Sequence, residues 1–500
     1  MNVRKLLSVP GVAKDGIQPE FGQFVWANNQ NRMLLLVACF LFLAQFILFK
    51  LLYPFANYFV DSYYYLESAS NNGDVNTWPV AYSKFLRLVS VFTHSDTIVV
   101  AFQYFLIAGS GLFLFFTIKY FFQPKKIVSI ILYVFIIFNP TTPYISNYIS
   151  ADSLFIGISL LWVSQLIWII CRPRNWQILI QALLLLFAFT VRYNGIYYPF
   201  IATLAFILCR NSVLFKLTGI FLGIFLVAYS ILYTSHKMQE KTGINQFSAF
   251  GGWQMANNAL YAYRHVKPGK SDSMPVRFAK LEQMVRQHMD TLSKVKLTRS
   301  DTVNTFFYLW SPQGPLVQYM KRVWNRDSTA SSFKKWGAEG SLYKDYGLYL
   351  IRKHPVEFAE YFIWPNAIKY ATPPIEFLGI YNMGEDSVDA LAKEWFQYKS
   401  LKVYHFSKNN DVKVIAWYPV FSTLSNILFV ISVIGFIFFK GMQKSGPYFP
   451  VVLLLIFVLC LTNMCFSIFA SPITLRYQLF PIMLSFVFSM LTIRYIDLTQ

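Results

Sequence analysis

Four ionisable side chains of this chain lie beside long apolar runs, where an uncompensated charge is costly. Asp61 follows the first run in FVDSYYYLE, and Asp152 opens another in SADSLF. Arg192 and Arg476 interrupt two more runs in TVRYNG and LRYQLFP. A carboxylate can accept the proton of a hydroxyl group, and guanidinium groups can bind a phosphate and offset its charge as it leaves. The residue types therefore indicate acid–base chemistry on a phosphate-bearing substrate, if the fold brings them together.

The composition places these residues in a membrane protein. The 500 residues are 55% hydrophobic and 14% charged, with a mean hydropathy of +0.42, whereas a soluble domain carries about 25% charged residues. The 50 Phe and 32 Tyr residues are an aromatic load typical of membrane-interface belts. The first apolar run begins near Met33 and no small-residue cleavage site follows it, so we interpret it as a retained helix.

We predict an all-α polytopic membrane protein with about ten transmembrane helices, because a spanning helix needs about 20 mostly apolar residues. The predicted spans are 33–53, 97–118, 127–139, 153–170, 177–191, 196–209, 213–234, 414–439, 448–470 and 477–493. Spans five and six are two helices joined by a tight turn at Thr190–Gly195. The chain then divides into a segment 1–32, a module 33–235 with a first outer loop 54–96, a mainly helical domain 236–413, and a module 414–500.

The distribution of basic residues orients the spans. Lys and Arg collect in the loops around residues 119–126, 172–174, 210–216 and 440–444, whereas the loop Asn139–Asp152 holds neither. Basic loops favour the cytoplasmic side. Both termini are therefore predicted to be cytoplasmic in a multi-pass plasma (inner) membrane protein, with the first outer loop and the large domain on the periplasmic side.

With this orientation the four ionisable residues share the outer level of the membrane. All six histidines face outward, and so does every Asp and Glu except Asp15, Glu20 and Asp497. Spans three, five and six look too short to reach the outer surface. We therefore predict a polar pocket recessed into the outer leaflet, where irregular backbone is tolerated because it lines a cavity.

Each of the four residues also has a purely structural interpretation. Asp152 suits the N-cap of span four, and Asp61 suits a solvated loop position. Arg192 and Arg476 suit interfacial anchors that reach lipid phosphates. The histidines suit surface positions, because the chain contains no metal-ligand spacing such as His-x-x-x-His.

Other classes of protein are less well supported. The net charge of +20 comes without a basic block, which favours anionic head groups or phosphate-bearing substrates over nucleic acid. The chain contains no phosphate-cradling Gly-rich loop, no Gly-x-Ser-x-Gly motif and no Cys-x-x-Cys pair.

These motifs resemble the GT-C superfamily of membrane glycosyltransferases, which use polyprenyl-phosphate sugars. The closest group in appearance is the bacterial class that includes protein O-mannosyltransferases and aminoarabinose transferases. The matching stretches are VDSYYYL (Val60–Leu66), NPTTPYISNYISADSLF (Asn139–Phe155), VRYNGIYYPF (Val191–Phe200), LIRKHPVEF (Leu350–Phe358) and LRYQLFP (Leu475–Pro481). The chain departs from the pattern at Asp61-Ser62, where many members carry two adjacent acids.

The resemblance implies an inverting sugar transfer at the extracytoplasmic face. Asp61 would deprotonate the acceptor, and Arg476 with Arg192 would hold the donor phosphate. Asp152 would orient sugar hydroxyls or Arg192. Candidates for sugar or lipid contact are Tyr64, Asn194, Trp253 and Tyr477. The donor would be a polyprenyl-phosphate sugar, with undecaprenyl as the bacterial lipid, and the acceptor a glycan, lipid or protein. A divalent metal stays open, because no metal-binding pair is visible.

Three other functions stay open. A polysaccharide polymerase or ligase shares the donor chemistry and also carries a large outer segment. A lipid or solute transporter or flippase also holds charges at membrane depth, although transporters favour inverted repeats and broken helices at the midplane. A non-catalytic assembly protein is the third.

Overall fold

The computed structural model of the chain describes residues 19–266, 274–293, 306–406 and 410–496. Helices account for almost all regular structure in these ranges, where β-pairing is limited to three isolated bridges. The chain is an all-α polytopic membrane protein, as the composition predicts. Most of the predicted segment 1–32, including Asp15, lies outside the described residues, and so does Asp497.

Among the described residues, eight helical segments are long and apolar enough to cross a membrane. They are Asn29–Leu52, Asp96–Phe122, Lys126–Ser146, Ala151–Cys171, Val213–Thr242, Lys413–Phe438, Phe449–Ala470 and Leu475–Ile493. The predicted fifth and sixth spans coincide with two shorter apolar helices, Trp176–Val191 and Tyr193–Leu208. The total of ten spans stays a prediction, because these two helices are shorter than a full crossing needs.

The first part of the chain builds the centre of the bundle. Its helices are α1 Phe21–Trp26, α2 Asn29–Leu52, α3 Val60–Ser70, α4 Ala81–Ser90, α5 Asp96–Phe122, α6 Lys126–Ile137, α7 Thr141–Ser146, α8 Ala151–Cys171, α9 Trp176–Val191, α10 Tyr198–Leu208 and α11 Val213–Thr242. Nearly all side chains of α8 are buried, and it packs against α5, α9 and α10. Helices α2 and α11 expose large apolar side chains, Leu51 and Phe221 among them, as contact with lipid requires.

The segment predicted as domain 236–413 is helical in its described parts. Its helices are α12 Ala249–Tyr263, α13 Ala279–Ser293, α14 Phe307–Trp310, α15 Pro315–Val323, α16 Ser332–Lys353, α17 Pro355–Phe358, α18 Trp364–Ala371 and α19 Ala390–Phe396. Helix α12 packs along α16, and Trp253, Leu260 and Tyr346 lie in a core of their own. Leu378 and Phe396 belong instead to the core of the membrane bundle, so the end of this segment packs on the bundle.

Two features of this segment follow from its local sequence. Phe278, Leu281 and Val285, spaced three and four residues apart, lie fully buried on one side of the 3₁₀ turn Val276–Phe278 and α13, whereas Leu292 is half-buried. Helix α16 ends before His354, whose φ of −128° is not helical, because the following proline excludes the helical conformation.

The last part of the chain closes the bundle. Its helices are α20 Tyr418–Phe438, α21 Gly441–Lys444, α22 Phe449–Ala470 and α23 Leu475–Ile493. Helix α23 packs against both α20 and α8. Arg476 at the start of α23 contacts Asp152 at the start of α8, so the short connection between α22 and α23 lies at the same end of the bundle as the start of α8.

Candidate functional site

Asp152 lies in the first turn of α8. The N-cap of this helix is Ser150, whose Oγ accepts from Asp152 N at 3.3 Å, so the interpretation of Asp152 as the N-cap is wrong. The Asp152 side chain is only 2% exposed. Because the Ser150 side chain caps α8, the Asp152 carboxylate is available to bind other groups. Its negative charge in the first turn also interacts favourably with the helix dipole.

Arg192 lies where α9 ends. Its backbone is extended, with φ −148° and ψ 129°, and a 3₁₀ turn at Tyr193–Tyr197 follows. The predicted pair of helices with a break at this point is therefore present. The guanidinium forms an ion pair with Asp152 Oδ1 and lies 4.5 Å from the ring centroid of Tyr477. With 16% of its side chain exposed, Arg192 points into the protein and is not a lipid anchor.

Arg476 joins both acids. It follows the first residue of α23, and its Nη1 lies 3.2 Å from Asp61 Oδ2 and 3.3 Å from Asp152 Oδ2. Its Nη2 donates to the Tyr477 hydroxyl at 2.7 Å, and the guanidinium lies 4.6 Å from the ring centroid of Phe59. Only 9% of this side chain is exposed. The interpretation as an interfacial anchor is therefore wrong for Arg476 as well.

Asp61 occupies the first turn of α3 and is 21% exposed. The start of α3 is held against the loop before α8, because Asn57 N donates to Asn147 O at 2.7 Å and Asn57 O accepts from Ile149 N at 3.0 Å. This pairing brings the segments that carry Asp61 and Asp152 side by side. Asp61 is thus an ordered, paired carboxylate and not a solvated loop residue.

A second contact set holds the outer loop in place. Asp96 is buried, and its Oδ2 accepts from Ala56 N at 2.6 Å and from the Tyr398 hydroxyl at 2.9 Å. The Tyr398 hydroxyl also lies 2.7 Å from that of Tyr58. Hydrogen bonds to Asp96 therefore hold both the loop before α3 and the segment after α19 against the start of α5.

The connection that precedes Arg476 is held by the 236–413 segment. Asn258 Nδ2 donates to Phe469 O and Ala470 O, both at 3.1 Å. Asn366 Nδ2 donates to Ile468 O and Ser471 O at 3.0 and 3.2 Å. Leu475 N donates to Pro374 O at 2.8 Å. These bonds fix the backbone from which the Arg476 side chain extends.

The four ionisable residues line a cavity of about 660 Å³. The residues around it are Phe59, Asp61, Tyr65, Thr77, Trp78, Pro79, Ser150, Asp152, Arg192, Tyr193, Asn194, Phe250, Gln254, Phe306, Ser471, Arg476 and Tyr477. The negative charges of the two carboxylates balance the positive charges of the two guanidinium groups, so the cluster has no net charge. We call these four residues the ion-pair cluster and this space the smaller cavity.

A larger cavity of about 1550 Å³ adjoins the smaller one. Six residues line both spaces: Tyr193, Asn194, Phe250, Gln254, Ser471 and Tyr477. The wall of the larger cavity is mainly apolar, with Phe466 and Phe469 from α22 on one side and Met255 from α12 on another. A ligand with a polar head and an apolar tail could therefore occupy the two cavities together.

Two of the four predicted contact residues lie at the cavities, and two do not. Asn194 and Tyr477 line both. Trp253 is fully buried in the core of the 236–413 segment, where its Nε1 donates to Trp336 O at 2.9 Å. Tyr64 lines neither cavity, whereas its neighbour Tyr65 lines the smaller one, because successive helical residues point in different directions.

Several residues that line the cavities were not predicted. Gln254 follows Trp253 in the chain and lines both cavities, and Trp78 from the outer loop lines the smaller one. Neither residue is charged, so no signal in the sequence distinguishes it from a core or loop residue. Burial, and then the nearby Asp61 carboxylate, raise the pKa of Tyr65 far above its usual value. Tyr65 therefore keeps its hydroxyl proton at neutral pH.

No set of three His, Cys, Asp or Glu side chains in the described ranges is placed to hold a metal ion. Asp61 and Asp152 both face guanidinium groups. Comparisons of this chain with protein-family models, with curated proteins and with solved structures return no match.

Proposed function

We propose that this protein is a membrane glycosyltransferase of the GT-C type. It would transfer a sugar from a polyprenyl-phosphate donor, undecaprenyl in bacteria, to an acceptor hydroxyl at the extracytoplasmic face. One observation carries the proposal: two arginines and two aspartates from four distant segments form one ion-pair cluster beside a large apolar cavity. A lipid phosphate has both features, an anionic head and an apolar tail.

The donor phosphate would bind to Arg192 and Arg476. Guanidinium groups match phosphate oxygens in geometry and charge. The Nε of Arg476 has no hydrogen-bond partner within the described residues, so this donor is free for a ligand. The polyprenyl chain would lie in the larger cavity, whose wall includes Phe466 and Phe469.

Asp61 is the better candidate for the general base. It is more exposed than Asp152, at 21% against 2%. Asp152 is bound by Arg192, Arg476 and the Ser150 hydroxyl, which suits a residue that positions the arginines. As donor phosphate draws Arg476 toward itself, the Asp61 carboxylate would lose its partner and become available to a hydroxyl proton.

The reaction balances with these groups alone. Asp61 takes the proton of the acceptor hydroxyl, and the acceptor oxygen forms a bond to the anomeric carbon of the sugar. The bond from that carbon to the phosphate oxygen breaks, and its electron pair stays on the phosphate. Arg192 and Arg476 offset this added charge. Polyprenyl phosphate leaves, and protonated Asp61 returns its proton to water.

The test uses the full chain in lipid nanodiscs with a radiolabelled polyprenyl-phosphate sugar and a panel of hydroxyl acceptors. We expect Asp61→Asn to lower transfer by roughly 10²–10⁴-fold, which is the usual contribution of a general base, while donor binding stays. Asp74→Asn is the matched control, because Asp74 is an exposed aspartate of the same loop. Normal transfer by Asp61→Asn would exclude it as the base.

The orientation has a separate test. In a cysteine-free background, Val276→Cys and Lys444→Cys place single thiols at exposed positions on opposite sides of the predicted membrane. An impermeant thiol reagent added to intact cells should label position 276 and leave position 444 unlabelled. The reverse pattern would place the cluster on the cytoplasmic side and contradict the proposed location.

A further inference from the structure

Part of the wall of the smaller cavity is uncharged. Thr77, Trp78, Phe250, Gln254 and Phe306 line this part. We propose that Trp78 and Gln254 form a subsite for the sugar ring of the donor, and that this sugar is neutral. The inference rests on the proposed function, because it assigns the group attached to the phosphate that Arg192 and Arg476 would hold.

Gln254 has a fixed orientation and one free oxygen. Asn258 Nδ2 donates to two backbone carbonyls, so its Oδ1 is the atom that faces Gln254. This oxygen accepts from Gln254 Nε2 at 2.7 Å and, at the longer distance of 3.4 Å, from Asn257 Nδ2. This leaves Gln254 Oε1 without a partner in the described part of the chain, although only 4% of the residue is exposed. A buried carbonyl oxygen without a partner is costly, and a ligand hydroxyl would satisfy it.

Trp78 supplies the complementary groups. Its Nε1 is buried and has no hydrogen-bond partner within the described ranges. A hydroxyl both donates and accepts, so Gln254 Oε1 and Trp78 Nε1 together match the hydroxyls of a sugar. The Trp78 ring packs against Phe250 at 4.5 Å between centroids. Such aromatic surfaces suit the apolar C–H face of a pyranose ring.

The charge distribution in the smaller cavity favours a neutral sugar. The five residues that line the part of the wall around the proposed subsite, Thr77, Trp78, Phe250, Gln254 and Phe306, carry no charge. An ammonium or carboxylate on the sugar would face the uncharged wall, and a buried charge without a partner is costly.

The test measures what the sugar adds to donor affinity. Two short-chain probes of equal charge are titrated into the full chain in nanodiscs: a polyprenyl-phosphate hexose and the methyl diester of the same polyprenyl phosphate. The Kd of the methyl diester divided by the Kd of the hexose probe measures the affinity that the sugar adds, and we call this ratio the sugar increment. For the unchanged protein we expect an increment of about 10-fold or more, from two hydrogen bonds and one ring contact.

Three variants address the subsite. Gln254→Leu and Trp78→Phe should each reduce the increment about 5-fold, since each removes one hydrogen bond worth about 1 kcal/mol. Trp78→Ala removes the ring as well and should reduce the increment further, so the difference between the two Trp78 variants separates stacking from hydrogen bonding. None of the three should change binding of the methyl diester. Trp364→Ala is the matched control, because Trp364 is exposed and lines neither cavity.

The possible failures are distinguishable. If Arg192→Ala and Arg476→Ala leave binding of the methyl diester unchanged, the proposed function itself fails. If they weaken it while Trp78→Ala and Gln254→Leu leave the increment unchanged, only the sugar subsite is overturned. A probe with an amino sugar that binds as tightly as the hexose probe overturns the neutrality of the sugar.

Discussion

Arg476 Nη1 lies 3.2 Å from Asp61 Oδ2, although the two residues are 415 positions apart in the chain. The same nitrogen lies 3.3 Å from Asp152 Oδ2. One guanidinium therefore ties the first turn of α3 to the first turn of α8. This contact is the structural centre of the candidate site.

Removal of Arg476 should destabilise the protein and should be partly rescued by removal of one acid. Arg476→Ala leaves the two carboxylates without their shared partner, and we expect a loss of about 3 kcal/mol, as for other broken buried pairs. The double variant Arg476→Ala with Asp61→Asn should recover part of this loss. Thermal unfolding in detergent micelles measures all members of the double-mutant cycle. Strict additivity would show that Arg476 and Asp61 do not interact.

Lysine should replace the two arginines poorly. A lysine retains the charge but not the planar donor pair that fits phosphate oxygens. We expect Arg192→Lys and Arg476→Lys each to weaken binding of polyprenyl phosphate about tenfold, measured by calorimetry. Arg277→Lys is the control, since Arg277 is exposed and pairs with Asp345 outside both cavities. If Arg192→Lys and Arg476→Lys bind polyprenyl phosphate as tightly as Arg277→Lys does, the two arginines do not hold the phosphate.

Asn366 is predicted to act as a positioning residue. Its side chain is fully buried and donates to the carbonyls of Ile468 and Ser471. Asn366→Leu leaves both oxygens without this donor, which should cost about 1–3 kcal/mol of stability. Because Ser471 begins the connection to Arg476, the KM for the donor should rise more than kcat falls. A fall in kcat with an unchanged KM would contradict this assignment.

The stability of the 236–413 segment should depend on pH through Lys369. Burial lowers the pKa of Lys369 to about 8, and Glu376 opposes the shift. The unfolded chain, with a lysine pKa of about 10.4, binds more protons between pH 8 and 10, so stability rises with pH in that window. Lys369→Met should therefore be more stable than the unchanged protein at pH 7.

The difference between Lys369→Met and the unchanged protein should shrink as the pH rises from 8 to 10. Thermal unfolding across this range measures it. Lys399→Met is the control, because Lys399 is an exposed lysine in the same segment. A gap that stays constant from pH 7 to pH 10 would show that titration of Lys369 does not contribute.

Several features could be predicted because they depend on local sequence. The long apolar runs define membrane-compatible helices, and the proline after His354 ends α16. The position of Arg192 in a break between two apolar helices also follows from its neighbours. In each case a few adjacent residues decide the conformation.

The direction in which individual side chains point could not be predicted from local sequence. The interpretation of Asp152 as the N-cap of α8 is wrong because Ser150, two residues earlier, is the N-cap, and its hydroxyl oxygen accepts from a backbone N–H of the first turn. Trp253 is a predicted aromatic contact, yet it lies in the core, while Gln254 lines the cavities. The direction of a helical side chain depends on which face of α12 packs against α16, and no local pattern specified that face.

The sequence by itself determined that this is an all-α membrane protein with Asp61, Asp152, Arg192 and Arg476 beside its apolar helices. Apolar length and charge are properties of short stretches, so they can be read without the fold. Only the tertiary structure decided that the four residues join in one cluster and that Trp78 and Gln254 share their cavity. Those contacts connect residues hundreds of positions apart, and the packing of the helices sets them.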